Sequence, residues 1–249
     1  MNVKMTKGMA MVAVAMACGA AYTKSAPMAP NHLVNADNLV SKIRTQGENG
    51  QFNDADGKPL NQYGASYKDV VMVWTPTAKA NAVCSNFITV LLEKTYGWKA
   101  KAAGFSSASP DPSMYHDAIE KGQYGLTKVQ EFENIAPGDL LMAEYYDDHA
   151  NIGHAMIVRN AQLLDEDEET GLREWAVEIL DCTKNIHSND SREFVKADGT
   201  VTVTQGVGRG TMRVLTQDGD IVGYSWSFRN GSVIYTPDVR HLTLGRLTG

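Results

Sequence analysis

The sequence predicts an α+β fold built on an antiparallel sheet. Apolar residues recur at helical spacing in the first half of the chain. Short runs with strand character, separated by Gly, Asp and Asn turns, fill the second half. The chain also lacks the regular strand–helix alternation that a parallel sheet would need.

The opening stretch is read separately from the fold. "MNVKMTKG" carries Lys4 and Lys7 and no acid, and the apolar run "MAMVAVAMACGAA" follows. This is the layout of a secretory signal over residues 1–21, cut near Ala21. The run is too short to span a bilayer as a helix. A second reading makes Cys18 a lipid anchor, although Ala15 stands where lipoprotein signals favour Leu. Residues 22–60 read as a linker and N-terminal segment, with Pro- and Ala-containing linker as far as about residue 34. "NADNLVSKIRTQ" is expected to form a short helix capped by Asn35 or Asp37. "NDADGKPLNQYG" is turn chemistry without the acid pattern of a calcium loop.

Residues 61–249 are expected to form one domain with a β-rich C-terminal extension. "YKDVVMVW" fits a strand, or a helical turn ended by Pro76. The clearest element is a helix from about 82 to 96, with Cys84, Phe87, Ile88, Leu91 and Leu92 on one face and Gly97 as its stop. A second helix, "PSMYHDAIEKG", ends at Gly122. "APGDLLM" turns into a strand, and "GHAMIV", "EWAVEILDCT", "GTVTVT", "GTMRVL", "DIVGYSWSF", "GSVIY" and "HLTLGRL" continue as strands. The acidic run "LDEDEE" at 164–169 is expected to be a solvated loop.

The formal charge of -6 becomes more negative once Lys4 and Lys7 are removed. That balance argues against a nucleic-acid partner, which would call for a basic face. No stretch after the signal is apolar enough to cross a membrane. The mature chain is therefore expected to be soluble and secreted or periplasmic, or anchored only at Cys18.

Cleavage leaves two of the three cysteines, Cys84 and Cys182. In an oxidising compartment the plain reading is one disulfide. A second reading comes from the hairpin "GHAMIVRNAQLLDEDEETGLREWAVEILDCT". If it folds symmetrically at residues 167 to 168, His154 and Asp181 lie directly opposite, with Cβ atoms about 5 Å apart. An Asp beside a His fixes the ring's tautomer and supports the imidazolium. Cys84, opening a helix, suits the nucleophile that such a pair needs. The thiolate is the reactive form of cysteine, and a helix N-terminus and a positive histidine favour it. The free N–H groups of the first turn, that of Cys84 included, could hold an oxyanion. Alternation along "VEILDCT" then turns Cys182 to the face opposite Asp181.

"CSNFITVLLEKTYGW", "APGDLL", "GHAMIV" and "VEILDCT", in that order, resemble the papain-like bacterial cell-wall hydrolases of the NlpC and CHAP type. The likeness runs from about residue 67 to 183. It departs at Val83, where the helix motif often has Asp, and at Asn86, where it often has Gly. The resemblance implies a papain-like fold with the cysteine helix packed on an antiparallel sheet. It also implies a Cys84–His154–Asp181 triad and a peptidoglycan stem peptide as substrate, with no metal or organic cofactor.

Other readings stay open for several residues. His149, in "YYDDHANIGH", is the rival histidine, and with Asp147, Asp148 and His154 it could make a casual metal site. His187 and Asn185 are alternative third members of the triad. "GVGRGTM" matches a fragment of a phosphate-binding glycine loop, but no helix follows it, so a tight turn or bulge is expected. Arg209 or Arg192 could meet a substrate carboxylate bidentately. Trp226 and Tyr224 could wall a cleft.

The expected function is a secreted, monomeric cysteine hydrolase that cuts amide bonds through a thioester, as an endopeptidase or an amidase. The alternatives are a non-catalytic envelope protein on the same fold, or a thiol acyltransferase.

Overall fold

The computed structural model describes residues 30–148, 152–196 and 198–248. The expected signal segment with Cys18, the first part of the expected linker, and His149 lie outside the described residues. Among the described residues the protein is α+β, with mostly antiparallel sheets and few helices. No helix among them is long and apolar enough to cross a membrane.

The first helix, α1 (Asn31–Glu48), begins before the expected start. Pro30, not Asn35 or Asp37, stands at its N-cap, and no side chain caps it. Leu33, Ala36, Leu39, Val40 and Ile43 recur at three- and four-residue spacing and are buried. That apolar stripe places residues 31–48 in the core rather than in a linker. Asn35 instead donates to Thr95 Oγ1, and Asp37 pairs with Arg159. A small three-stranded sheet follows: β1 (Asn61–Tyr63), β2 (Val71–Val73) and β3 (Lys79–Ala82), in the order β1-β3-β2. "YKDVVMVW" thus forms a short 3-10 turn and then a strand, β2.

Helix α2 (Cys84–Tyr96) runs directly out of β3. Gly97 adopts the left-handed conformation (φ 68°) that ends it, as glycine readily does. The expected apolar face is buried, but so are Ser85, Asn86 and Thr89. The first nine residues of α2 are covered on all sides, because α1, the main sheet and a later helix at Pro112–Glu120 pack around it. Buried polar groups there are answered locally: Thr89 Oγ1 donates to Ser85 O and meets Tyr115 Oη at 2.8 Å. Burial of Phe87, Ile88, Leu91 and Leu92 contributes about 1.5–3 kcal/mol each. A short helix, α3 (Ala100–Ala103), leads to α4 (Pro112–Glu120), capped by Asp111 accepting from Met114 N.

The remaining strands are β4 (Leu126–Lys128), β5 (Leu140–Tyr145), β6 (Gly153–Asp167), β7 (Leu172–Thr183), β8 (Glu193–Val195), β9 (Val201–Val203), β10 (Gly206–Gln217), β11 (Asp220–Ser225) and β12 (Arg240–Leu247). Seven form the main sheet, in the order β11-β10-β7-β6-β5-β12-β4, with antiparallel pairing throughout. Strands β8 and β9 form a separate hairpin. One face of the main sheet, with Ala155, Ile157, Leu180 and Cys182, packs on the helices. The other face, with Met156, Val158, Val177 and Ile179, packs against residues of β10, β11 and β12 as the sheet curls on itself.

Three strand expectations change. "LDEDEE" is not all loop: β6 continues to Asp167 and the turn falls at residues 168–171. "GSVIY" forms no strand beyond a single bridge of Tyr235 to Tyr224. "GVGRGTM" is neither turn nor bulge but the start of β10, paired residue by residue with β7.

Candidate active site

Cys84 is the first residue of α2, and its N-cap is Val83. Ser, Thr, Asp or Asn usually fills that position and bonds the open N–H groups of the first turn. Val83 offers no such oxygen, and no side chain caps this helix. The first-turn donors therefore stay free of a cap beside the thiol.

His154 is the second residue of β6, and the Cys84 thiol lies near enough to act on the charge of its ring. Its Nε2 lies 2.7 Å from Asp181 Oδ2. Burial would lower the His154 pKa, but the charge of Cys84 and the Asp181 contact outweigh it and raise it to about 10. The ring is held edge-on to Trp226, with centroids 5.3 Å apart.

Asp181 is fully buried on β7. It does not lie directly opposite His154, as a symmetric hairpin predicts. Its cross-strand partner is Met156, because the turn falls at residues 168–171, later than a fold at 167 to 168; two bulges on β6, at Val158/Asn160 and Leu163/Asp165, take back part of that shift. The offset is two residues, so the face is conserved and the two side chains meet diagonally.

A buried network holds the carboxylate. His187 Nε2 also reaches Asp181 Oδ2, at 2.9 Å, and its Nδ1 lies 3.0 Å from the Trp226 carbonyl. Arg192 Nη1 stands 3.0 Å from Asp181 Oδ1 as an ion pair. Arg192 also grips Asp190 through Nε at 2.7 Å and Nη2 at 2.6 Å. Burial would push the Asp181 carboxyl up, but Arg192, His187 and the two histidine bonds hold it well below the usual carboxylate range. His154, Asp181 and His187 converge closely enough to surround a metal ion. Arg192, only 1% exposed, already places a fixed positive charge on that carboxylate.

The glycines of "GVGRG" make room for this network. A Cβ on Gly208 would come 2.5 Å from Arg192 Nε. One on Gly210 would come 2.7 Å from His187 Cβ and 2.8 Å from Asp190 Oδ2. Arg192 is thus committed to two carboxylates of its own chain and is not open to a substrate. Arg209 points elsewhere, 3.8 Å from Asp37. Tyr224 is core, whereas Trp226 does line the cleft.

That cleft, of about 580 Å³, is walled by Tyr63, Tyr145, His154, His187, Trp226 and Tyr235, with Lys184 and Arg240 as its cations. Arg240 is sandwiched 4.1 Å from both Tyr145 and Tyr235 and pairs with Asp147. Asp147 is therefore engaged by a cation of its own chain. Lys184 lies over Tyr63 at 5.4 Å. Burial, then the nearby Cys84, Cys182 and Asp181, push the Tyr63 pKa up to about 12, so its hydroxyl keeps its proton. Tyr63, Tyr145, Lys184 and Arg240 carry no sequence signal; they reach the site from separate strands and loops. Asn185 lines the cleft but bonds back to Thr183 Oγ1 through its own N–H. Of Cys84, His154 and Asp181, only His154 lines this cleft, and none of the three lines a second cavity, of about 460 Å³ around Phe52, Leu60 and Phe194.

Cys182 is not paired with Cys84; both thiols are free. Cys182 sits on the helix-facing side, fully buried, with its sulfur 3.2 Å from Ala82 O. Burial raises its thiol well above the usual range.

No protein-family model and no solved structure matches the chain. It is similar to an uncharacterized protein of Acanthamoeba polyphaga mimivirus, 26% identical over 178 residues, which cover 66% of this chain and 76% of the relative.

Proposed function

We propose that the protein is a secreted cysteine hydrolase of papain-like fold that cuts amide bonds. One observation carries the reading: the Cys84 thiol, at an uncapped helix N-terminus, lies in the neighbourhood of His154, whose Nε2 is held 2.7 Å from a buried Asp181. His154 takes the thiol proton, and the thiolate attacks the carbonyl carbon. The oxyanion that forms is met by first-turn N–H groups such as that of Cys84. The C–N bond breaks, and His154 returns its proton to the leaving amine. Water, deprotonated by His154, then opens the thioester and frees Cys84.

The resemblance of the cysteine, histidine and aspartate motifs to NlpC- and CHAP-type enzymes supports a peptidoglycan stem peptide as substrate. The aromatic walls and the Lys184 ammonium suit a peptide that carries a carboxylate. The mature protein and its Cys84→Ala variant should be incubated with purified peptidoglycan and the soluble fragments weighed by mass spectrometry. New amine and carboxyl termini released by the wild type alone support the reading. Identical fragment profiles for the two proteins contradict it.

A further inference from the structure

Away from the triad, a second cluster of titratable side chains lies where α4 meets β5 and β12. His116 and Glu120 stand four residues apart on α4, on one helical face. His241 on β12 and Glu144 on β5 are direct cross-strand partners. His116 is buried, and its Nε2 lies 2.7 Å from His241 Nδ1. One ligand atom from each of His116, Glu120 and His241 falls within 4.8 Å of the other two. Across the ring, His116 Nδ1 is buried without a hydrogen bond, 3.4 Å from Glu144 Oε2.

A buried polar atom left without a hydrogen-bond partner is destabilising. Proton placement offers an explanation. When an imidazole gives the lone pair of one nitrogen to a metal, its proton sits on the other nitrogen. Metal-bound histidines regularly direct that proton at a carboxylate. Here the far nitrogen of His116 faces Glu144.

We propose that His116, Glu120 and His241 form a site for a divalent transition-metal ion of the zinc type, with Glu144 orienting His116 from behind. Two imidazoles and a carboxylate are a donor set that zinc favours, and a water would complete a tetrahedron. Two Zn–N bonds set their nitrogens about 3.3 Å apart, so the rings part by roughly half an ångström from their present contact. Lys128 now pairs with Glu120 at 2.7 Å. Its side chain is 33% exposed, so it can turn into water when the ion arrives. The ion would tie α4 to the two strands that flank it.

The test uses the mature chain carrying Cys84→Ala, so that the triad thiol cannot take the metal and the outcome is independent of the proposed hydrolase activity. After dialysis against chelator, zinc chloride is titrated calorimetrically, and thermal unfolding is followed with and without zinc. The proposal expects one equivalent bound, a higher Tm with zinc, and at least about tenfold weaker binding with Glu144→Gln. His241→Ala should lose the stoichiometric binding, and so should Glu120→Gln, which serves if the histidine variant does not fold. No stoichiometric binding overturns the proposal, as does equal binding in the His241→Ala or Glu120→Gln variant.

Discussion

His154 and Asp181 lie two residues out of direct cross-strand register, yet their side chains meet at 2.7 Å. The carboxylate that orients the histidine is itself the centre of a buried network of His187, Arg192 and Asp190. Positioning of the ring and packing of the interior therefore depend on the same atoms.

Asp181→Asn should show both roles. An amide cannot stabilise the imidazolium and favours the wrong tautomer, so kcat should fall by on the order of 10³–10⁴-fold. Arg192 would also lose one of its two carboxylates in the interior, and breaking a buried ion pair costs about 3–5 kcal/mol. Steady-state kinetics and urea unfolding of the purified variant check the two effects. Near-normal kcat would separate Asp181 from the reaction.

Gly208→Ala and Gly210→Ala should each destabilise the fold by about 1–3 kcal/mol, the cost of forcing volume into a packed interior. The neighbours that a new methyl meets, Arg192 and His187, cannot move without loosening Asp181. Both variants should also lose activity. Denaturant midpoints within error of the wild type would mean that the glycines clear no space.

Much of the site was legible in the sequence because chain order and local chemistry announce it. Cys84 stands at the head of a strongly apolar helix, and His154 and Asp181 flank one long hairpin. The register was not legible. The turn falls at 168–171 instead of 167 to 168, and two bulges on β6, which leave no mark in composition, undo only half of that shift and set Asp181 opposite Met156. The prediction of proximity survived because an offset of two keeps both residues on one face. Arg192, read as open to substrate, proved buried because the glycines of β10 admit it, and those glycines resembled a phosphate loop only as a string of letters. Helix α1 begins earlier than expected because its N-cap is Pro30, several residues before Asn35 and Asp37, where a polar cap was sought.

The pH dependence of stability follows from the two opposite shifts. His154 is raised, so its contribution is complete below about pH 6.5 and is lost as the pH rises through about 10. Asp181 is depressed, so its contribution is present above about pH 4 and is lost as the pH falls further. The stability gap between wild type and His154→Gln, followed by thermal unfolding from pH 6 to about 10.5, should narrow toward the alkaline end. A gap independent of pH would contradict the raised value.

Lys184→Glu should weaken peptides that carry a carboxylate near the scissile bond. A rim charge is screened by water and salt, so the expected effect is a several-fold rise in KM at low ionic strength that shrinks as salt is added. The kcat should change little, because the ammonium lies over Tyr63 rather than on the thiol. Equal KM values for acidic and amidated peptides with the wild type would argue against this role.

The most direct measurement of the central claim is the rate of iodoacetamide alkylation of Cys84 as a function of pH, with modified sites assigned by mass spectrometry. The buried Cys182 provides an internal reference in the same molecule. If Cys84 and His154 form a thiolate–imidazolium pair, Cys84 reacts rapidly well below pH 8, and His154→Ala abolishes that reaction while Cys182 stays unmodified. Alkylation that begins only near the pKa of a free thiol, about 8.5, and that is unaffected by His154→Ala would contradict the account.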